Sequence, residues 1–511
     1  MSESQSATPT EKLVSQDADA GHDGFGERVR SAVIWRSGGQ IVTQILSWVS
    51  TLAVIRILDP ADYGLFAMTQ VVLNFLTFLN GYGLISALVQ SESIDSHKLR
   101  QAFGLMILMN GGLALMQLAL APLAAAYYGQ PLVAHLLCAQ ALIYLSVPFI
   151  SLPEVLMGRS LDFKRPAFVN LITGLIAASV AIGGALAGWG VWTLVWAPLA
   201  GFWSKAIGYL LVTRFFVWPS FDFRGMRSVV LYAMSLLGTQ FFFLIQSQAD
   251  VFIGGRVLDP HALGLYAEAL FLTQIFVSKF IPPLNDVAFP AYARMQADKS
   301  RVAWAFAKAI RLLMLVACPI YLGMAVTAQP LVETLFGAKW LAMAPLVAVL
   351  ALAMPFLTLQ VMFPPMCNAM GRPGLSARIA MIGALIMPVA FLIGIRFGTI
   401  GLAFAWLCAY PVFALITARL AGRLIALDFR TLSQSVAPGF VCATAMALVV
   451  MGADHLLPPL AAPLRLLMLV GVGGASFAGL LMLVSRETIH ELVALVVRRK
   501  PPEAEPAAQA V

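Results

Sequence analysis

Long apolar runs alternate with short polar breaks along almost the whole chain. A bilayer-crossing helix needs about 20 mostly apolar residues. Runs of that size recur at 36–58, 64–89, 102–126, 131–156, 167–188, 190–213, 229–257, 264–290, 302–327, 341–366, 375–396, 398–420, 433–452 and 463–484. They predict an all-α membrane protein of about fourteen transmembrane helices. The tightest breaks, Gly188-Trp189-Gly190 and Phe397-Gly398, lie where one helix hands over to the next almost without a loop.

Composition agrees with the pattern. The chain is 60% hydrophobic and 11% charged, whereas a soluble domain carries about 25% charged residues. Lipid must cover the surface that charge cannot. Residues 1–30 are polar with no apolar core, so they read as a disordered cytoplasmic tail and not a signal peptide. Residues 486–511 form a second cytoplasmic tail, of which 500–511 reads as disordered in the same way. Cys138, Cys318, Cys367, Cys408 and Cys442 all fall inside apolar runs, where they are expected as buried apolar side chains. No Cys or His spacing suits a metal, and no cofactor is implied.

A net charge of +8 would suit nucleic acid, but its distribution does not. With the N-terminus in the cytoplasm, 24 Lys and Arg fall in inside segments and five (Arg56, Arg256, Lys339, Arg396, Arg465) outside. The positive-inside rule accounts for this split without a nucleic-acid partner. It also puts both tails in the cytoplasm, as an even number of spans requires.

A repeat organises the spans. Residues 56–67 read R-I-L-D-P-A-D-Y-G-L-F-A and residues 256–267 read R-V-L-D-P-H-A-L-G-L-Y-A. Each copy joins the first helix of a half to its second. Asp59 and Asp259 are placed to cap a helix, and Pro60 and Pro260 suit its first position. Six helices separate the copies, so the halves are parallel. The expected organisation is a six-helix lobe at 31–227, a second at 228–425, and a pair of helices, thirteen and fourteen, at 426–485. Duplicated halves commonly enclose a transport site at their interface.

Polar residues inside spans mark the candidate site. Gln40, Gln44, Ser47 and Thr51 form a stripe on the first helix. Gln70, Asn74 and Thr77 do so on the second, and Ser235, Thr239, Gln246 and Asp250 on the seventh. Interhelical hydrogen bonding in a packed bundle is the alternative reading of these stripes. On the eighth helix Glu268, Lys279 and Asp286 fall within about 40° of one another, although Pro282 and Pro283 stand between the last two. Lys205 is a cation within the sixth span, and Lys308 and Arg311 open the ninth. For these the alternative is internal salt bridging and snorkelling. Lys205, Lys279, Lys308 and Arg311 are the candidate anion-binding cations; Asp250, Glu268 and Asp286 are the candidate coupling or pairing acids. The chain holds no G-x-S-x-G, H-E-x-x-H or P-loop, and it is not expected to be an enzyme.

Fourteen helices, parallel halves and the R-x-L-D-P-x-x-x-G-L-[FY]-A turn resemble the polysaccharide exporters of the multidrug/oligosaccharidyl-lipid/polysaccharide superfamily, the Wzx-like repeat-unit flippases in particular. The segments Gln248–Arg256, Gly264–Ala267 and Phe289–Gln296 carry the likeness furthest. The resemblance implies a bacterial inner-membrane flippase that turns an undecaprenyl-pyrophosphate-linked oligosaccharide from the cytoplasmic to the periplasmic leaflet. It further implies membrane lipids, a polysaccharide polymerase and glycosyltransferases as partners. A cation-coupled drug or small-solute antiporter of the same superfamily is one alternative, though such exporters usually have twelve helices. A membrane polymerase or ligase is another, though the short outer connections argue against it.

Overall fold

The computed structural model describes residues 22–79, 96–159, 164–213, 217–222 and 227–484. Its long helices, in chain order, are α1 (His22–Ile57), α2 (Pro60–Leu79), α3 (Ser96–Tyr128) and α4 (Pro131–Gln140, continuing as Leu142–Arg159). Then come α5 (Lys164–Leu186), α6 (Trp192–Thr213), α7 (Arg227–Val257), α8 (Pro260–Met295) and α9 (Lys299–Val326). They are followed by α10 (Ala344–Val361, continuing as Phe363–Ala369), α11 (Pro373–Gly394), α12 (Gly398–Gly422), α13 (Phe429–Leu456) and α14 (Ala462–Val484). The fourteen expected spans are therefore present, and no strand occurs among the described residues.

Eleven segments of the described residues are long and apolar enough to cross a membrane; one of them, Pro373–Gly422, holds both α11 and α12. α2 and α7 lie outside that set, because part of each falls outside the residues over which a span can be described. The predicted second span, 64–89, runs on into residues outside the described ones. Of the predicted N-terminal tail, residues 1–21 lie outside the described residues and α1 begins at His22. The C-terminal tail lies outside them as well.

Local chemistry sets the helix boundaries. The Asp259 carboxylate accepts the Ala262 amide at 2.9 Å and caps α8, with Pro260 in the first helical position. At the other copy of the repeat, the Asp62 side chain reaches back to accept the Asp59 amide at 3.2 Å, the returning half of a capping box. The tight breaks are glycine turns: Gly188, Gly190 and Gly398 have φ of +75°, +54° and +71°, which side chains with a Cβ resist. Pro282, Pro283 and Pro290 do not interrupt α8, which runs through them as one helix.

Contacts divide the chain into two compact units. The first is drawn from Met1–Glu268 and Ala380–Leu402, the second from Ala269–Ile379 and Ala403–Val511. In the first, α5 packs on α1 and α6, α6 packs on the second part of α4, and α7 packs on α2. Glycine brings α6 close to α5: a Cβ on Gly208 would come within 2.8 Å of Val169. In the second, α9 packs on α10 and α13, and α13 on α14. There Gly439 lets α13 approach the α9 backbone, since a Cβ would meet the Met314 carbonyl at 2.8 Å.

Two cysteines depart from expectation. Cys318, Cys367 and Cys442 are buried, but Cys138 and Cys408 are exposed. Both lie within apolar helices, where an outward thiol faces lipid at little cost.

Candidate functional site

The repeat places its two turns against each other inside the first unit. A Cβ on Gly64 would fall on the Pro260 carbonyl, and a Cβ on Gly264 would fall on the Pro60 carbonyl. The contact is reciprocal, so the two turns lie on one membrane face, as parallel halves require. Arg256 then reaches the end of α3, donating to the Tyr127 carbonyl at 2.7 Å, where the helix C-terminus favours a cation.

The polar stripe of α2 meets α7 in this unit at Gln248, which stands outside the α7 stripe. Asn74 donates to Gln248 at 3.2 Å, so here the stripe serves helix pairing. Gln70 and Gln44 are half-buried, Gln40 and Ser47 are exposed, and Gln246 is buried. The side chains of Ser235 and Thr239 lie outside the described residues. Asp250 is wholly buried on α7. Its carboxylate accepts the Tyr266 hydroxyl at 2.8 Å and the Val251 amide at 2.8 Å. Sequence reasoning singled out Asp250 but missed its phenol. The repeat carried the signal: at an offset of 200, Asp250 and Tyr266 correspond to Ser50 and Phe66, so only the second copy has an acid and a hydroxyl there.

Glu268 is half-buried in the first unit, within electrostatic reach of Tyr63 on α2. Among the described residues it makes no hydrogen bond or ion pair. The unit boundary falls directly after it. Lys279 and Asp286 are exposed in the second unit, and neither forms an ion pair among the described residues. Also in the second unit, Lys308 lies 5.2 Å from the Trp304 ring centroid, a cation–π contact. Arg311, one turn further along α9, is half-buried, and its Nε is sealed with no hydrogen-bond partner. Arg311 forms no ion pair with a carboxylate among the described residues.

Lys205 differs from these cations. It pairs with Glu154 of α4 at 3.5 Å, and its ammonium stands 5.4 Å from the Tyr209 ring centroid. Glu154 went unremarked in the sequence, although it lies inside the predicted fourth span and the cost argument applied to the lysines applies equally to it. An apolar groove of about 620 Å³ runs along α5 and α6, lined by Trp189, Trp192, Trp196 and Trp203 among others. It holds none of the candidate residues: Lys205 lies about 200° around the helix from Trp203 at ~100° per residue.

Residues 53–345, more than half of the chain, match the polysaccharide biosynthesis protein family, and the chain belongs to that family. It is similar to the succinoglycan biosynthesis transport protein ExoT of Rhizobium meliloti, with 26% identity over 73% of this chain and 75% of that one. It is also similar to the teichuronic acid biosynthesis protein TuaB of Bacillus subtilis, with 25% identity over 83% of this chain and 87% of that one. Among solved structures, the lipid II flippase MurJ in an inward closed conformation shares the fold, with a TM-score of 0.71 at 13% identity, covering 89% of this chain and all of that one.

Proposed function

We propose that this protein is a flippase that turns an undecaprenyl-pyrophosphate-linked oligosaccharide repeat unit from the cytoplasmic to the periplasmic leaflet of the bacterial inner membrane, with both termini cytoplasmic. One observation carries the reading: Lys279 and Arg311 are cations in spanning helices that have no carboxylate partner among the described residues. A charge at mid-membrane costs roughly 2.5–3.5 kcal/mol on insertion scales, and a transported anion can offset that cost. Pyrophosphate supplies the anion, with Lys308 assisting from one turn away. The half-buried amides of Gln44 and Gln70 suit sugar hydroxyls, which both donate and accept, whereas Asn74 is taken up by Gln248 and Gln246 is buried. A polymerase and glycosyltransferases then stand on either side of the step as working partners.

The test is charge reversal in a strain that lacks the native gene. Lys279→Glu abolishes export at normal protein levels, and Lys279→Arg retains a good part of it. Normal export by Lys279→Ala overturns the phosphate role. Loss of the protein leaves single lipid-linked repeats facing the cytoplasm; single repeats facing the periplasm would point to a polymerase instead.

A further inference from the structure

Glu154 and Lys205 make an intramembrane pair that the flippase mechanism leaves unused. Glu154 is five residues from the end of α4, about 7.5 Å at 1.5 Å per residue, and Lys205 lies deeper in its helix. Lys205 is eight residues from the nearer end of α6, about 12 Å at 1.5 Å per residue. Glu154 directly follows Pro153, which deprives α4 of a backbone hydrogen bond at that point. The carboxylate is 53% exposed and the ammonium 25% exposed. Hydrocarbon does not tolerate an open carboxylate, so the pair opens onto a polar space. Beneath it Tyr209 is fully buried; its hydroxyl lies beside Asn170 of α5 without a well-formed hydrogen bond.

At 3.5 Å the pair is looser than a tight charge-assisted bond of about 2.8 Å, and it leaves donors on the ammonium and lone pairs on the carboxylate unused. Its net charge is zero, and Glu154 repels phosphate. A sugar hydroxyl can do what phosphate cannot: donate to Glu154 and accept from Lys205 at once. Charge-assisted bonds of this kind are roughly twice as strong as neutral ones. We infer that Glu154 and Lys205 form a glycan-reading subsite in the first unit, separate from the phosphate-holding cations of the second. The inference rests on the flippase reading and assigns its sugar and its phosphate to different residues.

The test uses the full-length protein in lipid nanodiscs and two probes. One is the lipid-linked glycan extracted from a strain lacking this gene; the other is bare undecaprenyl pyrophosphate. Removing one member strands the other charge in the bundle, so the decisive variant is E154Q/K205M, which removes both charges with little change of shape. The variant binds the glycolipid at least about tenfold more weakly than the natural protein does, while its Kd for the bare lipid is unchanged. Equal weakening toward both probes places the pair in the phosphate site and overturns the inference. Unchanged affinity for both makes the pair structural and overturns it too. If the natural protein binds neither probe, the flippase reading falls first and this one with it.

Discussion

Gly64 and Gly264, two hundred residues apart, cross so closely that a Cβ on either would lie about 3 Å from the backbone nitrogen of the other. Each also faces a carbonyl from the opposite turn: Pro260 for Gly64, Pro60 for Gly264. Two copies of one sequence thus make a self-complementary contact, the geometry a local two-fold axis produces. The identity of these two glycines across the repeat has a steric cause.

Gly64→Ala and Gly264→Ala are expected to destabilise the protein by about 1–3 kcal/mol, the range for overpacking a close contact. Gly111→Ala on α3 is the control, since a Cβ there meets nothing within 4 Å. It should be neutral or stabilising by up to about 1 kcal/mol, because alanine favours helix over glycine. Thermal melting in detergent separates the two, and equal melting temperatures for G64A and G111A would refute the crossing.

Tyr266→Phe removes the hydroxyl that satisfies the buried Asp250 carboxylate. Phe66 stands at the matching position of the first copy, so the ring shape is tolerated in that turn. The expected loss is about 1–3 kcal/mol, the cost of removing one hydrogen-bond donor from a buried carboxylate. Asp250→Asn combined with Tyr266→Phe should lose less than the two single changes added together. A strictly additive double variant in melting experiments would count against the pair.

Asp454 of α13 and Arg465 of α14 form a two-pronged bond at 2.7 and 2.8 Å across the connection between these helices. Both side chains are a quarter to a third exposed, so solvent screens the pair and the expected loss in Asp454→Ala is about 1 kcal/mol. Arg465→Lys, which cannot match both oxygens, should lose a comparable amount. The readout is the melting temperature of the purified protein, and an Arg465→Lys variant as stable as the parent would show that the fork geometry is irrelevant.

A reporter active only in the periplasm, fused after Lys500, is expected to be silent. The reason is the 24-to-five split of basic residues between the two faces. Strong activity from that fusion would be incompatible with fourteen helices and a cytoplasmic N-terminus.

The spans, the parallel repeat and the capped turns were legible in the chain because each depends on local features. Apolar length sets a span, Asp-Pro sets a helix start, and glycine at positive φ sets the breaks at 188–190 and 398. Charge partnership was not legible, because it depends on which helix faces lie together. Lys205, Lys279 and Arg311 look alike as lone cations in apolar runs. Only packing gives Lys205 a carboxylate from α4, leaves Arg311 Nε sealed without a partner among the described residues, and leaves Lys279 exposed. Helical periodicity likewise put Glu268 on one stripe with Lys279 and Asp286, yet tertiary contacts assign Glu268 to the first unit and the other two to the second. Sequence fixes rotation about one helix axis at about 100° per residue; which neighbour a helix face meets is decided by how all the helices bury their small and large residues together.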